Sequence, residues 1–211
     1  EKMIMRLTFA LVGAVLLAGS AHGESAEDYS PYAGENFPQQ LLWGDTHVHS
    51  SFSMDANVMG NTRLGPGDAY RFARGETVEA NSAQSVRLDR PLDFLVVSDH
   101  AEYMGILPKL RAKDPVLLAD PDGKRIFEAL TGDPEGGRAI VDELVGSLAI
   151  NQPIFENAQA KQDIWQEITT LADRYNDPGV FTALIGFEWT SMPGGDNLHR
   201  VVVYADGAQQ A

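Results

Sequence analysis

The 211-residue chain contains no cysteine. A disulfide framework, a zinc ribbon and a thiol nucleophile are thereby excluded together. Positive charge is scarce as well: 16 Lys and Arg stand against 30 Asp and Glu, a formal net charge of -14. Such a chain would repel a nucleic-acid backbone or an anionic membrane, so neither is an expected partner. The apolar run Leu7–Gly19 has 13 residues, short of the roughly 20 that span a bilayer. Histidine is sparse, five in all. Any metal site must therefore be assembled from a few imidazoles and from carboxylates. What is present is ordinary for a globular protein: 44% hydrophobic and 22% charged residues, enough to bury a core and too apolar for a disordered chain.

The beginning of the chain reads as a targeting segment. Lys2 and Arg6 precede the apolar run, and the small residues Ser20-Ala21-His22-Gly23 follow it. Basic region, short apolar region and small-residue cleavage site are the order of a secretory signal. Residues 1–23 are thus expected to be removed, leaving a periplasmic or secreted protein with no stable membrane anchor. Residues 24–40, polar with Pro31, Gly34 and Pro38, read as an extended lead-in.

Beyond residue 40 the pattern alternates. Leu41-Leu42-Trp43 opens an apolar run that predicts a strand over about 41–48, followed by a Ser-, Asn- and Gly-rich loop over 50–67. Pro66 and Asp68 suit the first turn of a helix that Gly75 ends. Leu92–Ser98, nearly continuous in apolar and β-branched residues, predicts a strand covered on both faces, as in a parallel sheet. A helix is expected to begin at Ala101 or Glu102. From about 115 to 176 the apolar period is helical, with stripes at Ile140, Val141, Leu144, Val145 and Leu148 and at Ile164, Trp165, Ile168, Leu171, Ala172 and Tyr175. Asp177-Pro178-Gly179 stops the last helix. Val180–Trp189 and Leu198–Tyr204 read as a third and a fourth strand. Strands alternating with helices point to an α/β barrel or an open doubly wound sheet.

The histidines fall in a telling order. His22 leaves with the signal segment. The remaining four stand at the ends of predicted strands: His47 and His49 after the first, His100 after the second, His199 opening the fourth. Glu188 lies late in the third. Ligands of α/β folds bind where the carboxyl ends of parallel strands converge. Residues two apart on a strand share a face, so His47 and His49 can grip one metal ion or two adjacent ones. One such His could be structural; four, flanked by Asp45, Asp55, Asp99 and Glu188, point to metal. Nitrogen and oxygen ligands without sulfur suit Zn, Mn or Fe better than Ca or Cu(I).

The wording of these segments adds a resemblance. Gly44–Asp55, reading GDTHVHSSFSMD, resembles the first motif of the PHP (polymerase and histidinol phosphatase) superfamily of metal-dependent phosphoesterases. Asp93–His100, a strand ending in Asp-His, resembles the second motif. Ile185–Glu188 and His199 are similar to the family's Glu and downstream His. The fuller wording is closest to an exported bacterial branch known only as a domain of unknown function. The resemblance implies that His47, His49, Asp55, His100, Glu188 and His199 are metal ligands, that Glu188 bridges two ions, and that Asp45 and Asp99 orient imidazoles from behind. Glu188 and Asp55 would thereby shape catalysis. It also implies two or three divalent ions, a small anionic ester as substrate, and a distorted (β/α)7 barrel.

The family completes its site with a later His and an Asp-x-His element, and neither follows His199 here. Residues 41–211 are therefore expected to be the N-terminal part of such a barrel, with a helical insertion at about 115–176, and as such an incomplete enzyme. An amidohydrolase-like hydrolase and a non-catalytic periplasmic metal-binding module are the rival readings. Arg200 could touch a phosphate, although strand alternation favours a structural ion pair. Glu102 and Tyr103 either reach the site or cap a helix, and the three tryptophans read as core or rim.

Overall fold

The computed structural model describes residues 40–211, of which Leu42–Ala211 form one compact unit. The expected signal segment and nearly all of the lead-in lie outside the described residues. The centre is a three-stranded parallel sheet in the order β1 (Gly44–Val48), β4 (Phe94–Val97), β5 (Thr182–Leu184). The most apolar segment is the middle strand, where Leu95, Val96 and Val97 are buried. The first strand is shorter than expected: Leu41, Leu42 and Trp43 stay exposed ahead of it.

The expected third strand is two strands. After Ile185 the chain leaves the sheet as β6 (Gly186–Ser191) and pairs antiparallel with β7 (Leu198–Val203). Gly186 sits at the bend because nothing larger fits: a Cβ there would lie 2.6 Å from Val96 Cγ1 and 2.7 Å from the Val202 carbonyl oxygen. The two halves remain coupled. Glu188 forms an isolated parallel bridge with His100, its N–H donating to the Asp99 carbonyl (3.0 Å) and its carbonyl accepting from Ala101 N–H (2.8 Å). Among the described residues the strands do not close into a barrel. The architecture is mixed α/β.

Two features of the connections differ from expectation. The 50–67 loop contains a short helix, α1 (Met54–Val58), before α2 (Pro66–Ala73), and a small hairpin, β2 (Val78–Glu79) with β3 (Ser85–Val86), follows. No helix starts at Ala101, because Tyr103 and Gly105 take left-handed backbone angles (φ 56 and 68), which an α-helix does not accommodate. The helix α3 begins at Ile106 and runs to Arg111.

The helical stretch is four helices, α4 (Pro115–Ala119), α5 (Pro121–Thr131), α6 (Pro134–Ala149) and α7 (Ala158–Tyr175). Three breaks carry the same dipeptide, Asp114-Pro115, Asp120-Pro121 and Asp133-Pro134. A residue before proline is pushed out of the helical region, and Asp is a strong N-cap. Each of these Asp side chains accepts from backbone N–H groups of the next turn. Apolar periodicity alone could not show these stops.

α7 ties the layers together. Ile164 and Ile168 join Leu110, Leu117, Ile126 and Leu144 in the core of the helical layer. One turn on, Ala172 packs with Tyr70, Leu95, Val97 and Ile185 against the sheet. Gly186→Ala should destabilise the protein by about 1–3 kcal/mol, the usual cost of forcing extra volume into a packed site. Urea denaturation of the variant checks this; an unchanged midpoint would mean the bend has room for a methyl.

Candidate metal centre

The mouth at the carboxyl ends of β1 and β4 gathers all six residues singled out above. Glu188, 1% exposed, is the hub. Its Oε2 meets His47 Nε2 at 3.0 Å and His49 Nε2 at 2.6 Å, and its Oε1 meets His199 Nδ1 at 2.8 Å. His100 Nδ1 lies 3.7 Å from Oε2. The four imidazoles form a chain, with ring centroids 5.2, 4.7 and 5.1 Å apart from His47 through His49 and His100 to His199. Asp55, in the first turn of α1, closes the other side: His49 Nδ1 lies 2.9 and 3.1 Å from its two oxygens and His100 Nε2 at 3.7 Å.

Donor atoms fall into three overlapping trios able to hold a cation: His47, His49 and Glu188; His49, Asp55 and His100; and His100, Glu188 and His199. A neutral imidazole has a single lone pair. His49 and His100 each appear in two trios, through different ring nitrogens, so filling one trio with neutral imidazoles takes a ligand from its neighbour.

Electrostatics without metal follow from this crowding. Hydrogen bonding to Asp55 raises the pKa of His49 against the effect of burial, with Glu188 adding to the rise. Burial lowers that of His100, against the pull of Glu188 and Asp55. For both carboxylates facing the cluster, burial works upward and is outweighed. Bonds from His49, Ser53 and the Ala56 N–H hold Asp55 well below the usual range, and those from His47 and His49, with the charge of His100, lower Glu188. Two carboxylates flanking one imidazole favour its charged form. A proton on His49 thus occupies the place of a cation.

Asp45 and Asp99 do not orient imidazoles. Asp45 accepts from its own neighbour's backbone, the His47 N–H (2.8 Å). Asp99, 2% exposed, accepts from both the N–H and the hydroxyl of Ser50. It pins the residue after His49 and so aims the HxH segment indirectly. Burial drives its pKa up to about 6 despite those bonds. Arg200 is exposed on β7 and, among the described residues, forms no ion pair.

The structure adds residues that were not singled out. Thr190 Oγ1 lies 2.9 Å from His100 Nδ1 and 3.3 Å from His199 Nδ1. It is two residues from Glu188 on one strand, so alternation could have found it. The buried Ser53 hydroxyl accepts from the His100 N–H (3.1 Å) and donates to Asp55, joining both motifs. Glu102 does face the site region: one carboxylate oxygen accepts from Thr190 N–H (3.1 Å), and the other, buried without a hydrogen bond, lies 3.9 Å from His100 Nδ1. Tyr103 points elsewhere, its hydroxyl bonded to Ser147 Oγ and Ile154 N–H.

Fold and site together define a mixed α/β protein with a His/carboxylate centre able to hold metal. Residues 36–211 match the profile of a family described as "Protein of unknown function (DUF3604)", and the chain belongs to that family. No curated protein and no solved structure matches it.

The Asp99 assignment has a pH signature. A carboxyl whose pKa is raised by folding stabilises most below its unfolded value, near 4, and loses that contribution as pH rises through about 6. In metal-free protein the stability of wild type relative to Asp99→Asn should therefore fall between pH 4 and pH 7, by on the order of 2 kcal/mol. Denaturant titrations at the two pH values measure it, and a difference independent of pH would show that Asp99 is ionised throughout.

Proposed function

We propose that this protein is an exported metal-dependent hydrolase acting on phosphoesters. One observation carries the reading: a buried carboxylate, Glu188, is contacted by three imidazoles with a fourth close by, and a second carboxylate, Asp55, stands across the ring. A fully protonated ring of imidazoles this close would repel itself, and a neutral ring would leave the carboxylates uncompensated. Divalent cations resolve both problems. The nitrogen and oxygen donors fit Zn, Mn or Fe.

The resemblance of Gly44–Asp55 and Asp93–His100 to PHP motifs supports phosphoester chemistry in particular, with two or three ions in a complete site. Divalent ions held there would supply Lewis acidity, activating water near neutral pH and neutralising charge on a phosphoryl group. The chain's own residues do the rest. Glu188 shares its two oxygens between the His47–His49 side and the His199 side. Thr190 and Ser53 fix ring and backbone orientations behind the ligands, the kind of support that sets metal affinity. Asp55 stays ionised at neutral pH, its carboxylate held by three hydrogen-bond donors. The acidic chain repels an anionic ester at long range, so local metal charge must dominate at the mouth.

Metal titration should give tight binding that weakens as pH falls through the imidazole range, since protons compete for the same lone pairs. Glu188→Gln and His47→Ala should each lower metal affinity by at least about 100-fold, and Thr190→Val by about 10-fold. Chelation should abolish phosphoester hydrolysis. Protein holding stoichiometric metal yet cleaving no phosphomono-, di- or triester would sink the reading.

A further inference from the structure

Beside the metal centre lies a cavity of about 550 Å³ that the cluster itself does not use. Its polar end is formed by Glu102 and Thr190, and Thr190 is the residue bonded to His100 and His199. Its apolar wall is Leu148 from α6, Phe155 from the α6–α7 connection and Trp189 from β6, and the rest of the lining includes Asn151, Glu156, Lys161 and Ser191. A second apolar cavity of about 300 Å³, lined by Trp165, Phe187 and Tyr204, shares Tyr103 and Phe155 with it. The size is that of a small-ligand site, and an apolar wall with a few polar groups is the usual make-up of one.

We infer that this cavity holds the organic part of the substrate, and that this part is an apolar group of aryl size. The inference rests on the phosphoesterase reading for the position of the reacting group and names what lies beyond it. Charge sets the polarity of the arrangement. The cation lining the cavity, Lys161, is already paired with Glu156 Oε1 at 2.8 Å. Glu102 lines the cavity as a carboxylate, one oxygen accepting from Thr190 N–H and the other buried 3.9 Å from His100 Nδ1. A phosphoryl group entering the cavity would meet that carboxylate and no free cation. It belongs on the metal ligands, and the apolar remainder belongs between Phe155, Leu148 and Trp189. This also gives the helical layer a role: α6 and the α6–α7 connection form walls that the strands do not provide.

The test uses metal-loaded protein and two non-hydrolysable probes, phenylphosphonate and methylphosphonate, with affinities measured by calorimetry. Phenylphosphonate should bind ~10- to 100-fold more tightly, the gain expected from burying one aromatic ring. Trp189→Ala and Leu148→Asn, both at partly open positions, should each cut that ratio several-fold, and together bring it near unity. Methylphosphonate affinity and metal stoichiometry should stay unchanged. Equal binding of the two probes by wild type, or a ratio the variants do not move, overturns the inference. If neither phosphonate binds, a neutral ring such as 2-naphthol separates the two ideas. Its binding, lost in the double variant, keeps the cavity assignment and removes the phosphoesterase reading; its failure to bind removes both.

Discussion

The position of one carboxylate governs the rest of the site. Glu188 is nearly inaccessible to water, yet it sits on a strand that has already left the parallel sheet. It keeps its place because its backbone is bonded on both sides to the extension of β4, through Asp99 and Ala101. That crossing point puts His100 beside it, β1 delivers His47 and His49 from one flank, and the antiparallel partner β7 delivers His199 opposite Thr190. Burying an ionised carboxylate without compensation costs several kcal/mol. The surrounding imidazoles are therefore part of what makes the fold tolerable, and a bound cation would relieve the same cost more completely.

The three acidic residues around this mouth illustrate how burial and partners divide labour. Asp55 and Glu188 face imidazoles and have lowered pKa values, whereas Asp99 faces a serine and burial raises its pKa to about 6. Like residue types within a few ångströms thus acquire unlike tasks. Asp99 shapes the backbone of the HxH segment through Ser50, and the other two face the imidazoles directly. Ser53 links the layers, since it touches both the backbone of His100 and the carboxylate of Asp55.

Sequence pattern anticipated which residues gather at the mouth better than it anticipated the fold. The six residues His47, His49, Asp55, His100, Glu188 and His199 could be picked out because imidazoles are rare here and fall at strand ends, and because two motifs resemble a known family. The supporting residues were harder to see. A serine in a Ser-rich stretch looks like loop composition until burial shows Ser50 and Ser53 to be inside. Fold boundaries failed for local reasons: the Asp-Pro caps subdivide a periodic helical stretch, and left-handed Tyr103 and Gly105 delay α3. The split between β5 and β6 was invisible because Phe181–Phe187 runs across it nearly continuous in apolar residues. Only the close approach of Gly186 to Val96 and Val202 explains the bend.

The sheet and the helical layer are built differently among the described residues. Parallel strands are normally covered on both faces, yet β1 is exposed along four of its five residues. Meanwhile the helical layer has the more extensive of the two cores, built around Leu110, Leu117, Ile126, Leu144 and Ile164. Side chains able to hold a cation on strand ends need close backbone placement, which the ladder contacts at His100 and Glu188 provide. The cavity beside them draws its walls from both sources, Leu148 from α6 and Trp189 and Thr190 from β6. Because α7 packs into both cores, a change in either layer reaches the other through one rigid element. The centre and the cavity are therefore held in fixed relation, and they share Thr190 and the strand that carries Glu188.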